Sequence, residues 1–413
     1  MRRSIDFANL AARLRSPALR AAFFLMAGGA GFAVANVLLA RVLSNQAFGV
    51  ISLLLALNQV GQTLGPMGLD LTINRRRLTP TLTLLKTALG TAILVSTAIA
   101  LSSLAFYGFS WQLMICLAFT ASAAAVGRVA GAFLQSQQRF GYSLFLGQIH
   151  NYILLVAVPV IVLLQMPDSL LVALVIASGY LLTAMAGWWS VWPRSVAPAG
   201  PALRDLLKES MAGLGLVLAV QVLWQLERLI ISPTLSIEQL GAFAVVTAIA
   251  GSPFRMMQIA IGYTLVPGLR ACSSRGQMRR LLLREGGVVV VTTTAAIVAV
   301  SIATPLIVTR FLDNRYDIST VLLIAVIATG LMKIWQGFVS AIVQALGTTA
   351  ALFKLALLSW IGVFAGAGFA IAGARFGLIG VVYGVGLGWL IVALGATGLA
   401  VRAARTSAPR SAS

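Results

Sequence analysis

The sequence is poor in the residues that build metal sites, covalent staples and soluble surfaces. It holds two cysteines, Cys116 and Cys272, and one histidine, His150, so neither a disulfide framework nor a tetrahedral zinc site can be assembled from it. Charged residues make up 10% of the chain, against about a quarter in soluble proteins. No Walker loop, CxxC pair, Gly-x-Ser-x-Gly elbow or carboxylate cluster occurs. A catalytic centre, a cofactor and ATP-driven work by this chain are therefore not expected, and the reading is of a transporter rather than an enzyme. Loops are short as well. The longest candidates, Pro193 to Glu209 and Leu269 to Glu285, leave no room for a soluble domain.

What is abundant is apolar: 59% of 413 residues are hydrophobic. Runs of about 20 apolar residues, each able to cross the hydrocarbon core as a helix, recur from Ala21 almost to the C-terminus. Twelve spans are expected, among them 48–70, 144–165, 210–232 and 286–309. The fold class is all-α polytopic membrane protein. A basic tail over 1–20 precedes an N-terminal six-helix lobe over 21–192. A Pro-rich linker over 193–209 leads to a second six-helix lobe over 210–401, and 402–413 forms a tail. The first twenty residues are too polar for a secretory signal, so the first span is read as a retained anchor.

The net charge of +20 follows the same topology. With both termini cytoplasmic, inner segments hold about 22 basic residues, including Arg2, Arg3, Arg75 to Arg77, Arg279 and Arg280. The outer ends hold about five: Arg41, Arg228, Arg310, Arg315 and Arg375. Acidic residues divide evenly. This is the positive-inside pattern of a multi-pass membrane protein, with the bilayer and not nucleic acid as the partner of the excess charge.

Two short matches relate the halves. Leu43-Ser-Asn-Gln-Ala-Phe-Gly49 resembles Leu235-Ser-Ile-Glu-Gln-Leu-Gly241, and Ala132-Phe-Leu-Gln-Ser136 resembles Ala341-Ile-Val-Gln-Ala345. An even number of spans separates each pair, so the lobes are expected to be parallel repeats around a central cavity, an arrangement suited to alternating access.

Polar residues inside the spans mark where that cavity is expected, because a charge at the centre of a span costs about 2.5–3.5 kcal/mol even on lenient scales. Arg128, Arg255 and Lys333 are the deepest, and all are cationic. Helical spacing aligns Gly251, Arg255, Gln258 and Gly262 on one face. Lys333, Gln336, Gly337 and Ser340 form a second stripe, and Asn58, Gly61, Gln62 and Gly65 a third. Gln225 lies beside Glu227 and Arg228, which diverge by about 100° on a helix and are expected to pair with different spans. Asp70, at the inner interface, and His150, inside a span, complete the titratable set.

Ala40-Arg-Val-Leu-Ser-Asn-Gln-Ala-Phe-Gly49, Leu134-Gln-Ser-Gln-Gln-Arg-Phe140 and Glu227-Arg-Leu-Ile resemble segments of bacterial polysaccharide-export flippases. These are the Wzx-like branch of the multidrug/oligosaccharidyl-lipid/polysaccharide (MOP) superfamily. The resemblance implies a MATE/MOP-like fold and a lipid-linked oligosaccharide, usually on undecaprenyl pyrophosphate, moved to the outer leaflet for O-antigen or exopolysaccharide synthesis. It also implies glycosyltransferases and a polysaccharide polymerase as partners. On that basis Arg255, Lys333 and Arg128 are expected to engage phosphate, and Asn58, Gln62, Gln225, Gln258 and Gln336 to contact sugar. Glu227, Arg228, His150 and Asp70 are candidates for coupling or gating. The rival expectation is a multidrug antiporter of the same superfamily, which would need buried carboxylates to hold organic cations.

Overall fold

The structure is a computed structural model that describes residues 17–164, 168–192, 203–316 and 318–406. Arg2 and Arg3, most of the N-terminal tail, the linker core 193–202 and the tail beyond 406 lie outside these residues. The described residues are helical throughout, with no strand. In chain order the helices are α1 (Pro17–Val42), α2 (Asn45–Leu64), α3 (Leu69–Arg76), α4 (Leu82–Tyr107), α5 (Trp111–Ser136), α6 (Phe140–Leu146), α7 (Ile149–Leu163) and α8 (Ser169–Ser190). The second half comprises α9 (Leu203–Thr234), α10 (Ile237–Val246), α11 (Ser252–Arg270), α12 (Arg275–Arg310), α13 (Thr320–Leu346), α14 (Thr349–Gly373) and α15 (Gly377–Thr406).

Serine and threonine caps start most spans: the side chains of Ser44, Thr81, Ser110, Ser236 and Ser319 each accept a backbone N–H three residues on. These bonds satisfy donors that a helix cannot satisfy internally, which is most costly away from water.

Ten apolar stretches among the described residues are long enough to cross a membrane. One of them, Thr349–Thr406, folds back at the 3₁₀ turn Ala374–Phe376 into α14 and α15. Glycine permits the close return: a Cβ on Gly384 would strike the backbone at Ala370, and one on Gly388 the carbonyl of Gly362. Small residues are how helices approach closely where lipid offers no hydrophobic drive. With this hairpin counted as two and α1 added, the described residues supply the twelve crossings expected. Pro17 and Thr406 then share one face, called the near face below, and the opposite one is the far face.

Several boundaries differ from expectation. The span over 48–70 ends at Leu64, where a turn leads into the short α3. The span over 144–165 is broken at Gly147 between α6 and α7. Residues 203–209, assigned to the linker, already belong to α9. The basic segment 275–285, read as loop, is helical because Ser274 caps it. At 36 residues, α12 is about 54 Å long, more than the hydrocarbon requires, so its Arg-rich start emerges at the near face.

Helices α1 to α8 form one lobe and α9 to α15 the other. They meet where the duplicated motifs meet. A Cβ on Gly49 would strike the carbonyl oxygen of Ile237, and a Cβ on Gly241 that of Asn45. Positions 45 and 237, and 49 and 241, are the repeat equivalents, so the contact is reciprocal and a pseudo-twofold axis runs between α2 and α10. Reciprocity is what a parallel duplication produces on its own axis. At the near face α3 packs on the start of α9, with Thr72 and Ser210 hydroxyls 2.8 Å apart and Arg76 paired with Glu209.

Candidate functional site: a cationic cluster between the lobes

The centre of the site is built on α9, α11 and α13. Lys333 is the fourteenth residue of the 27 in α13, hence near mid-depth. Its ammonium donates to Glu227 Oε1 at 2.8 Å and lies 5.5 and 5.6 Å from the ring centres of Trp224 and Trp389. Arg255 covers the same Trp224 ring at 5.0 Å, and the two indoles meet edge to face. The face of an aromatic ring attracts cations most strongly where water is excluded. Two of the expected cations therefore share one aromatic platform.

Arg228 completes the group. Its guanidinium donates to Ser52 on α2 at 3.1 Å, to Gln225 at 3.0 Å and to Thr247 at 3.3 Å. Glu227 and Arg228 do pair with different spans, as their angular separation requires. Arg228 was counted at an outer end and is instead half-buried within the bundle, six residues before α9 ends at Thr234. Its partner Thr247 opens a π-helical turn, Thr247–Gly251. Pro253 explains the turn, since it has no N–H to return to the preceding turn. Lys333 and Arg228 thus lie beside the Glu227 carboxylate, and Arg255 shares the Trp224 ring with Lys333.

Other expected residues fall elsewhere. Arg128 does not join the cluster: it lies eight residues, about 12 Å, from the near end of α5, where its Nε donates to Asp70 at 2.7 Å and its Nη1 to Thr63 at 3.2 Å. The expectation of a phosphate contact there meets an arginine already neutralised by its own chain. Gln258 donates to Gln336, which donates to Ser340. Close contact of Gly337 with Gln258 brings these two stripes together, so they face each other rather than an open cavity. Gln62 is half-buried one turn beyond Asn58. His150 stacks on Tyr180 with ring centres 4.1 Å apart, and its Nδ1 is without a partner. Tyr180 in turn stands beside Asn58 and Gln59 and faces Arg255 across the lobe boundary.

Several buried amide atoms near the boundary are unsatisfied. Both amide atoms of Asn58, Nε2 of Gln221 and of Gln225, and Oε1 of Gln258 have no hydrogen-bond partner. Each such group costs about 1–3 kcal/mol if left so. Amide donors and acceptors beside uncompensated guanidinium groups form a surface able to take up an anion bearing hydroxyls. Residue-type reasoning missed Trp224, Trp389, Tyr180, Ser52 and Thr247. The two tryptophans carried a usable signal, since tryptophan inside a span rather than at its ends is out of its usual place.

The fold is that of solved transporters of the MOP superfamily. An inward-facing multidrug resistance MATE family transporter of that superfamily superposes with a TM-score of 0.66 at 13% identity, covering 94% of this chain and 100% of the other. The lipid II flippase MurJ in an inward closed conformation gives 0.69 at 13% identity, over 94% and 90%. An outward-facing MATE transporter gives 0.53 at 14%, over 94% and 95%. The family model described as "Polysaccharide biosynthesis protein" matches residues 38–321, and the chain belongs to that family. No curated protein matches the sequence.

Proposed function

We propose that the protein is a flippase that carries a lipid-linked oligosaccharide, on an undecaprenyl pyrophosphate carrier, across the bacterial cytoplasmic membrane by alternating access of its two lobes. The observation that carries this reading is the group of Arg255 and Lys333 on the Trp224 ring, with Arg228 and the carboxylate of Glu227 beside Lys333, where the lobes meet. A diphosphate cannot enter hydrocarbon unpaired, and charge-assisted bonds to guanidinium and ammonium groups supply the partners it loses. Orphan amides of Asn58, Gln221 and Gln225 offer bonds to sugar hydroxyls. Glu227 keeps Lys333 neutralised until a diphosphate competes for it. Family membership supports a sugar-polymer substrate. The positive-inside distribution supports cytoplasmic termini, and glycosyltransferases supplying the loaded carrier are the expected partners. The rival cation antiporter lacks support here, because Glu227, the acid at the centre of the site, is already held by Lys333.

The test is lipid-linked glycan accumulation in cells lacking the protein, together with surface polysaccharide output. Loss of output with build-up of loaded carrier is expected, and undisturbed output with normal carrier-linked sugars rejects the flippase. Arg255→Ala removes a cation–π contact worth about 0.5–2 kcal/mol, so the variant is expected to reach the membrane at near-normal levels while export fails. Normal export would remove Arg255 from the site.

A further inference from the structure

The lobes close on each other in the far half of their boundary, where Gly49 and Gly241 bring backbones into contact, and stand apart in part of the near half. There α11 packs on α1 of the first lobe and not extensively on α2 or α5. Gly262 lies on the same face of α11 as Arg255, two turns toward the near face. It is exposed, with no atom within 4 Å of a Cβ built on it. Tyr263 beside it is 52% exposed and stands opposite Arg128 of the first lobe. The two are level, because Tyr263 is seven residues from the near end of α11 and Arg128 eight from that of α5, about 10 and 12 Å.

The facing wall has the matching opening. Helix α5 is the most enclosed of the ten apolar stretches, with 67% of its window buried, yet Arg128, Gly131 and Gln135 are only half-buried and share one helical face. This wall carries no net charge, since Asp70 balances Arg128, so it offers a phosphate no unpaired cation. Gln135 bonds to Asn74 and Ser143. Toward mid-depth, Gln59 and Gln62 are half-buried on α2, and Gln59 stands beside Tyr180, which faces Arg255. Neither the side-chain amide of Gln62 nor the hydroxyl of Tyr263 bonds to a described residue. An uncharged polar groove with one exposed aromatic ring therefore leads from the near face to the cationic cluster. From Tyr263 to Arg255 it runs eight residues along α11, about 12 Å, which is longer than one sugar ring. Planar amides bind hydroxyls, and an exposed aromatic face packs against the C–H face of a sugar.

We propose that this groove is a second carbohydrate site, holding the sugars of the glycan that lie beyond the one joined to the diphosphate, with Tyr263 as the stacking ring and Gln62 as a hydrogen-bonding partner. The inference rests on the reading of the protein as a flippase for a lipid-linked oligosaccharide. It divides the labour of the site: the cluster holds the charged end of the cargo, and the groove reads the sugar chain. A carrier without its glycan fills only the deeper half and binds less tightly, which favours loaded over empty carrier.

The full-length protein in detergent is titrated with two probes: undecaprenyl pyrophosphate without sugar, and the loaded carrier recovered from cells lacking the protein. The wild type is expected to bind the loaded carrier about tenfold more tightly than the bare one. Tyr263→Ala is expected to remove that preference with binding of the bare carrier unchanged, and Tyr263→Phe, which keeps the ring, to retain it. Gly262→Trp fills the open space in front of α11 and is expected to remove the preference too, as is Gln62→Leu in part, each with an unchanged unfolding temperature. Arg255→Ala is expected to weaken both probes. Equal binding of the two probes by the wild type overturns the groove as a sugar site and leaves the cluster as the phosphate site. So does a preference that survives both Tyr263→Ala and Gly262→Trp, or a loss that these variants show equally for both probes. Absence of loaded carrier from the cells, or failure of the wild type to bind either probe, overturns the flippase reading itself.

Discussion

Arg128 in the first lobe and Lys333 in the second each meet a carboxylate, at 2.7 and 2.8 Å, yet the surroundings of the two pairs differ. The Arg128–Asp70 pair lies toward the near face with side chains 30% and 10% exposed, and it ties α5 to α3. Its charges balance. The Lys333–Glu227 pair is 16% and 4% exposed, and Arg255 and Arg228 stand beside it without a second acid. One pair is a staple. The other belongs to the proposed site, where positive charge is left over, and surplus charge inside a span is costly enough to need a purpose. Depth and neighbours, rather than the length of the ion pair, distinguish the two.

The largest expected effect that tests this contrast is at the deeper pair. Lys333→Ala leaves Glu227 buried and unpaired and is expected to lower stability by about 3–5 kcal/mol, read as a fall in unfolding temperature in detergent. Replacing both partners, Lys333→Met with Glu227→Met, is expected to restore folding but not export. If the double variant exports normally, the pair is a second staple and the contrast fails. A smaller effect, about 1–2 kcal/mol, is expected for Asp70→Asn, because Arg128 keeps its bond to Thr63 and is partly solvated. Export per folded molecule should be retained, and a loss as complete as that of Arg255→Ala would move Asp70 into the transport machinery. Smallest is Arg76→Ala at the near face, where the arginine facing Glu209 is 42% exposed. A change of about 0–1 kcal/mol is expected, vanishing at high salt.

The comparison of α4 with α12 teaches a related lesson. Duplication gave both lobes a third span, but only the first buries it against its neighbour. The small, regularly placed residues Ala88, Ala92, Ser96 and Ala100 of α4 are all buried and let α5 approach. At α12 the β-branched run Val288 to Thr294 is exposed except at Val289 and Thr293.

Much of the architecture was legible because hydropathy in a bilayer is a one-dimensional signal. Each span must satisfy its backbone internally, so its existence can be read without knowing its neighbours. Boundaries at Leu64, Gly147 and Ser274 were less legible, since local turns and caps decide them at the membrane surface. Of the site, the cations Arg255 and Lys333 and the divergence of Glu227 from Arg228 were visible in spacing alone. The shared Trp224 platform was not, because it depends on three helices far apart in sequence. Gln258 and Gln336 show the limit most clearly: each lies on a polar stripe, and a stripe that lines a cavity has the same spacing as one that meets another stripe.

The sequence by itself determined that the protein is a bundle of membrane-crossing helices with basic residues biased to one side, because the cost of placing peptide groups and charges in hydrocarbon depends on each segment's own composition. It also determined the duplication, whose motifs meet reciprocally at Gly49 and Gly241. Only the tertiary structure decided which buried charges are cancelled. Whether Arg128, Lys333 or Arg255 finds a carboxylate depends on a distance of a few ångströms between helices, and Coulomb energy at that range is set by three-dimensional placement and not by order along the chain.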